Sequence, residues 1–198
     1  GGTVTLDGVT IDGSTGTGLS AWRTSKVVAH DLVVSHTAKS ASGILGWAVD
    51  VESGGSFDGT RVVIAGASFA GVAVTDPGSH VTLEDAIVTG VALASSGPGG
   101  PTIAAGLAVT GDAAVDVHHV SIGDTAGASM LVAAGGSLVA DGVAARGAGA
   151  AGDAVGGLYA SGAKVTAKLS SRVITSATHD GIFVLDSAAV TVDGVLVS

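Results

Sequence analysis

The chain has 198 residues, of which 33 are glycine, 46% are hydrophobic, 13% are charged and only 3% are aromatic. This composition excludes long helices, since each interior glycine costs about 1 kcal/mol relative to alanine, and it predicts an all-β protein with a valine- and alanine-filled interior. The net charge of -9 and the lack of any cationic cluster argue against nucleic acid as a partner. The absence of cysteine excludes disulfides and thiol nucleophiles, and no apolar run is long enough to predict a membrane span.

An eight-residue motif near the start of the chain recurs along its length. Its pattern is V-x-[LVA]-x-[DG]-[VLA]-x-[VI], and the mean spacing of about 27 residues is typical of a solenoid. The copy at Val165 carries about two extra residues, and its register stays open. The copies begin at Val4, Val27, Phe57, Val81, Val115, Leu138, Val165 and Val190.

The copy at Val81 shows how the motif places its apolar residues. Val81 and Leu83 form one inward set, and Ala86 and Val88 form the next. The step from 83 to 86 is three residues instead of two, so the chain must turn there to keep its apolar side chains inside. The motif therefore predicts two short strands joined at a corner.

A second motif precedes most copies: glycine, a branched apolar residue, any residue, then an apolar residue. It begins at Gly18, Gly43, Gly71, Gly106, Gly127, Gly157 and Gly181. Each repeat is thus predicted to contain three short strands.

These motifs resemble those of the right-handed parallel β-helix (pectate-lyase-like) superfamily over essentially the whole chain. The resemblance implies an all-β, single-stranded β-solenoid of about eight three-strand coils, with 1-198 as one domain. It also implies an extracellular or cell-surface location. Because both ends lie at the same phase of the repeat, we expect a segment of a longer chain, with further coils of the same polypeptide as partners.

In sugar-processing members of this superfamily, the outward positions of the first strand carry catalysis. The sequence predicts no carboxylate there, whereas glycoside hydrolysis needs two, so no catalytic residue is predicted. His179 resembles a superfamily His-Gly motif, and the alternative is a solvated loop residue. The two predicted outward columns are Ser20, Leu45, Ala73, Ala108, Ser129, Tyr159, Phe183 and Trp22, Trp47, Thr75, Thr110, Leu131, Ser161, Leu185.

Trp22 and Trp47 fall at matching places in consecutive predicted coils, with Arg23 beside them, and would stack ~5 Å apart. Exposed aromatic rings on a rigid β-sheet bind sugar rings, so the sequence predicts a carbohydrate platform. Tyr159 and Phe183 form a second such pair. The alternative is that the loop 35–42 or a partner covers these rings.

A third group lies at the predicted corner and comprises Glu84, Asp85, His118, His119 and Asp141. Carboxylate and imidazole groups are ligands for divalent metals. The alternative is a surface ladder in which opposite charges stack, each exposed pair contributing about 0.2 to 1 kcal/mol. No other cofactor is expected.

Three hypotheses follow for function. The first is a non-catalytic structural or adhesive segment of a secreted or surface-displayed protein, whose first-strand face binds a carbohydrate or protein surface. The second is a fragment of a polysaccharide-active lyase or hydrolase whose catalytic coils are absent or degenerate. The third is a metal-stabilised binding module.

Overall fold

The computed structural model describes residues 1–43, 45–93, 103–148, 156–171, 174–177 and 181–197, with the backbone alone given for 147–148, 174–177 and 197. Within this part, every regular element is a β-strand. The strands form three sheets of eight, eight and seven members. The all-β class predicted from the glycine content is confirmed.

Each coil contributes one strand to each sheet, except that the last one, β22 and β23, contributes only to sheets 1 and 2. Sheet 1 contains β1 (Thr3–Asp7), β4 (Lys26–His30), β7 (Ser56–Thr60), β10 (His80–Glu84), β13 (Ala114–His118), β16 (Ser137–Asp141), β19 (Thr166–Ser170) and β22 (Ala189–Asp193). Sheet 2 contains β2 (Thr10–Asp12), β5 (Val33–Thr37), β8 (Val63–Ala67), β11 (Ile87–Val91), β14 (Ser121–Thr125), β17 (Ala144–Ala148), β20 (Ile174–Ala177) and β23 (Leu196–Val197). Sheet 3 contains β3 (Thr17–Trp22), β6 (Trp47–Glu52), β9 (Ala70–Val74), β12 (Ala105–Val109), β15 (Ala128–Ala133), β18 (Leu158–Ser161) and β21 (Ile182–Leu185).

All recorded pairings join strands of successive coils, and all are parallel. Val81 of β10, for example, pairs with Phe57 of β7 on one side and Val115 of β13 on the other. Because the chain advances one strand spacing per circuit, equivalent residues stack in columns along the axis. This is a parallel β-solenoid with three strands per coil, as the two motifs predict.

The corner between sheets 1 and 2 is one residue with left-handed backbone geometry. Its φ values run from 50° at Ser171 to 67° at Gly142. One such residue reverses the alternation of side chains, so the apolar positions on both sides of the corner stay inside. Leu83, Ala86 and Val88 are accordingly all buried. The column comprises Gly8, Asp31, Arg61, Asp85, His119, Gly142, Ser171 and Gly194.

The core is a narrow strip between the three sheets, filled mainly by valine, alanine and leucine. Phe57 is one of the few large residues in it and is fully buried. Space for its ring is left by Gly59 two residues on, where an added Cβ would lie 2.8 Å from a Phe57 ring carbon. Large and small residues therefore complement each other within one strand.

The seventh copy of the first motif starts at Ala167, so the start predicted at Val165 is wrong. Ala167 pairs with Leu138 of β16 and with Val190 of β22. Val165 is also buried, because the residue just before the strand turns inward. Val165 and Ala167 are two residues apart, so their side chains point to the same face of the sheet. The alternation of apolar and polar residues alone therefore cannot show which of them begins the motif. Ile174, seven residues after Ala167, pairs with Ala144 and Leu196, which lie six residues after the equivalent Leu138 and Val190. Counted from Ala167, this copy therefore has one extra residue, not about two.

Two of the predicted first strands are also shifted. β6 places Val49 opposite Leu19 and Val72, so the glycine motif at Gly43 lies in the preceding connection. In β15 Met130 pairs with Leu107, two residues later than the motif at Gly127 predicts. These shifts change which residues face outward on sheet 3.

Candidate functional site

The outward surface of sheet 3 carries one continuous column of side chains. These residues alternate with the buried core positions of each strand, and we call them the outward column. In axial order they are Ser20, Asp50, Ala73, Ala108, Leu131, Tyr159 and Phe183.

Asp50 and Leu131 replace the predicted Leu45 and Ser129 in this column. Glu52, paired with Trp22, likewise takes the place predicted for Trp47 in the neighbouring column. The prediction that these columns contain no carboxylate is therefore wrong. The error follows from placing β6 at the Gly43 motif, five residues too early.

A groove of about 250 Å³ lies on the outward face of β9 and β12. Ala73 and Ala108 form its floor, and their small side chains create the depression. Thr75 and Thr110 add hydroxyl groups along one side. The residues that line it are Trp47, Phe69, Ala70, Ala73, Thr75, Ile103, Ala105, Ala108, Thr110 and Leu131. Ligand pockets share this combination of apolar walls and a few polar groups.

Asp50 adjoins this groove, since it pairs with the floor residue Ala73. Its exposed fraction is only 5%. Its Oδ1 atom has no hydrogen-bond partner in the part of the chain that the structure describes. Burial, together with the smaller effects of the negative charges of Glu52 and Asp76, raises the pKa of this carboxyl to about 7. Asp50 is therefore divided between its neutral and ionised forms near neutral pH.

Two more carboxylates lie close to Asp50. Glu52 follows it by two residues and so projects from the same face, about 6.6 Å farther along β6. Asp76, after β9, accepts hydrogen bonds on Oδ2 from the backbone nitrogen of Ser53 at 3.2 Å and from Ser53 Oγ at 3.3 Å. Asp50, Glu52 and Asp76 adjoin residues that line the groove without lining it themselves, and we call them the acidic end of the groove.

The predicted stack of Trp22 on Trp47 is wrong. Trp47 pairs with Thr17 at the start of β3, whereas Trp22 ends that strand and pairs with Glu52. The two indoles therefore lie at opposite ends of neighbouring strands in sheet 3, about 16 Å apart along the strand direction. Trp47 lines the groove and Trp22 does not.

Trp22 is held in place by two side-chain contacts. Its Nε1 donates a hydrogen bond to Ser53 Oγ at 3.1 Å. The guanidinium carbon of Arg23 lies 3.9 Å from the centroid of the Trp22 ring, a cation–π arrangement. Arg23 thus covers one face of this indole, although Trp22 remains 46% exposed.

The predicted pairing of Tyr159 with Phe183 is confirmed. The two residues are in register, and their ring centroids lie 5.8 Å apart with 26° between the planes. Both rings continue the outward column beyond Leu131. The column therefore has a carboxyl near one end, a small-residue groove in the middle and an aromatic stack at the other end.

The corner residues stack as predicted. Glu84, His118 and Asp141 are in register, and His119 Nδ1 lies 3.5 Å from Asp85 Oδ1 in the adjacent column. Among the described residues, no three histidine or carboxylate side chains come together as a metal site would require. Metal binding there stays a prediction, and a shared unfolding midpoint with and without EDTA would contradict it.

The same corner shows that opposite charges pair between coils. Arg61 Nε and Nη2 each donate to a carboxylate oxygen of Asp31 at 2.7 Å, and this lowers the pKa of Asp31. His179, the remaining predicted site residue, lies outside the described residues.

No family model matches the sequence, and comparison with curated proteins and with solved structures finds no similar protein. The described part of the chain has no helix long and apolar enough to cross a lipid bilayer.

Proposed function

We propose that the protein is a non-catalytic β-solenoid of the pectate-lyase-like type, secreted or displayed at the cell surface, which binds carbohydrate along the outward column. The observation that carries this proposal is the groove between Trp47 and the Tyr159–Phe183 stack. A stiff rod of stacked parallel strands suits an adhesive or spacer role, because it holds a binding face at a fixed distance from its support.

The chemistry of the groove favours a sugar. Aromatic rings offer apolar faces to the C–H groups of a pyranose, while Thr75 and Thr110 supply hydroxyls for its polar edge. The volume of about 250 Å³ is below the range typical of drug-sized ligands, which suits a single ring. Additional rings would follow the column toward Phe183, four coils and about 19 Å from Ala73.

A glycan-binding screen, followed by affinity measurement on the best ligand, tests this proposal. Replacing Trp47 by alanine removes one wall of the groove, and we expect affinity to fall about tenfold or more. Trp22→Ala is the matched control, because it deletes the same ring outside the groove and should leave affinity unchanged. The absence of binding to any glycan, or an equal loss in both variants, would contradict the proposal.

Asp50 and Glu52 favour a second candidate, a polysaccharide-active hydrolase. Glycoside hydrolases use two carboxyl groups roughly 5 to 9.5 Å apart, one of them held neutral by its surroundings. Asp50 has a raised pKa, and Glu52 projects from the same face two residues along.

Incubation with polysaccharides and assay of new reducing ends tests this candidate. An enzyme would lose activity in both Asp50→Asn and Glu52→Gln. If the wild-type protein binds a glycan but releases no reducing ends, the hydrolase candidate is wrong and only the binding role remains.

A further inference from the structure

Asp50 has a feature that carbohydrate binding in general does not explain. Its Oδ1 atom is buried and has no hydrogen-bond partner among the described residues. The side chains in register with it are Ser20 and Ala73, neither of which carries a charge. A buried carboxyl without a partner is costly, and groups of this kind in native proteins call for a specific explanation.

The position of Asp50 indicates where its partner would come from. Asp50 lies next to Ala73 on the groove floor and points to the same side of sheet 3 as the groove. Asp50 does not itself line the groove, but a ligand seated over Ala73 would end one strand spacing, about 4.8 Å, from it. Its amine would meet the carboxyl after a small displacement of the side chains that cover Asp50. The missing partner is thus expected on the ligand.

The charge around Asp50 indicates the chemistry of that partner. Both groups whose charge acts on Asp50, Glu52 on the same strand and Asp76 after β9, are negative. An uncharged hydroxyl could satisfy one oxygen but would leave this negative potential uncompensated. A cationic group would satisfy the oxygen and reduce the repulsion among the three carboxylates.

We propose that Asp50 binds a protonated primary amine of the ligand in the groove, so that the carbohydrate recognised is an amino sugar. This inference rests on the proposed carbohydrate-binding function and specifies its ligand class. The apolar floor and Trp47 contact the sugar ring, and the acidic end of the groove binds the amine.

A measurable consequence is the release of a proton on binding. Near pH 6 most Asp50 carboxyls are neutral in the free protein, because burial raises their pKa. An adjacent ammonium group favours the ionised form, so the carboxyl proton passes to the buffer as the complex forms. At pH 8 the carboxyl is already ionised, and this release is absent.

Isothermal titration calorimetry at pH 6 with two matched probes tests the inference. The probes are a β-1,4-linked glucosamine tetramer and its fully N-acetylated counterpart, which has the same rings but no amine. We expect the amine-bearing tetramer to bind about tenfold more tightly, as a hydrogen bond to a charged group provides. Its heat should also vary with the ionisation enthalpy of the buffer, which reports the released proton.

Three variants complete the experiment. Asp50→Asn should abolish both the preference for the amine and the proton release, while the acetylated tetramer binds as before. Glu52→Gln should reduce the preference without removing the Asp50 carboxyl, and it serves as the second probe if Asp50→Asn does not fold. Asp116→Asn, the same substitution on sheet 1, should change nothing.

The possible failures are distinguishable. Equal affinity for the two tetramers, or a preference that survives both Asp50→Asn and Glu52→Gln, would overturn the amine inference and leave carbohydrate binding standing. Failure of both tetramers to bind, together with an empty glycan screen, would overturn the proposed function and the inference with it.

Discussion

Asp31 and Asp50 are aspartates of one solenoid, yet their surroundings shift their pKa values in opposite directions. Asp31 is exposed at a corner, where its hydrogen bonds with Arg61 lower its pKa. Asp50 lies within a strand on the face of sheet 3, where burial and two nearby carboxylates raise its pKa to about 7. The ion pair at Asp31 favours the charged form, whereas the environment of Asp50 favours the neutral form.

This shift makes folding stability depend on pH in a definite direction. The pKa of Asp50 rises from 3.8 to about 7 on folding, so between these values the folded state binds more protons. Stability contributed by the neutral carboxyl is thus complete below pH 4 and is lost as pH rises toward 7. Asp50→Asn removes this loss. We expect its free energy of unfolding, relative to wild type, to increase by about 1.4 kcal/mol per pH unit between pH 4 and 7.

Urea unfolding of both proteins at several pH values between 4 and 8 measures this difference. Asp12 and Asp31 do not confuse the result, because their lowered pKa values confine their own losses of stability to pH below 3.8. Asp193→Asn, at an exposed aspartate of β22, is the control and should run parallel to wild type over the window. A constant difference between Asp50→Asn and wild type would show that Asp50 is ionised throughout.

At the scale of the strand, the sequence predicts sheets 1 and 2 well and sheet 3 less well. The corner residue adds one position between two apolar pairs, and this three-residue step identifies the corner in almost every coil. Sheet 3 lacks such a marker, since its strands follow connections of variable length. β6 shows the consequence: the glycine motif at Gly43 resembles a strand start, but the strand begins at Trp47.

The candidate site was missed for the same reason. The segment from Val49 to Glu52 alternates valine with a carboxylate, which is the period-two pattern of a half-buried strand. Reading that alternation in preference to the glycine motif would have placed Asp50 and Glu52 on the outward face. The burial of Asp50 has no such signal in the sequence, because it depends on tertiary packing that the period-two pattern does not describe.

Two glycines within strands, one in sheet 3 and one in sheet 2, leave different amounts of room for a larger residue. A Cβ on Gly71 of β9 would overlap Cγ1 of Val88 and lie 2.7 Å from the carbonyl oxygen of Gly106. On Gly123 of β14 the nearest heavy atoms would be 3.9 Å away. We expect Gly71→Ala to lower the free energy of unfolding by about 1 to 3 kcal/mol.

Gly123→Ala is the matched control for this prediction. It should leave stability unchanged or raise it by up to about 1 kcal/mol, because alanine restricts the unfolded chain. Urea unfolding compares the two variants. Equal effects would mean that neighbouring coils yield enough at Gly71 to accept a methyl group.

Over the whole molecule, each coil contacts chiefly the coils before and after it. Stability in such an array is approximately a sum of coil terms and interface terms. Val81, in a middle coil, is fully buried, whereas the equivalent Val4 and the first-motif residue Val192 are 53% and 45% exposed. The middle coils are thus enclosed on both sides, and the outer coils of this polypeptide are enclosed on one.

Hydrogen exchange followed by mass spectrometry should therefore show graded protection in a polypeptide of these 198 residues. Opening a middle coil breaks two interfaces and opening an outer coil breaks one, so amides of β10 and β13 should exchange most slowly and those of β1 and β22 fastest.

Leu83→Ala removes a fully buried side chain from β10 and should lower the free energy of unfolding by about 2 to 5 kcal/mol. If coils unfold semi-independently, the variant should lose protection mainly in β7, β10 and β13. Uniform protection in the wild type, with a uniform loss in Leu83→Ala, would instead show that the solenoid unfolds as one cooperative unit.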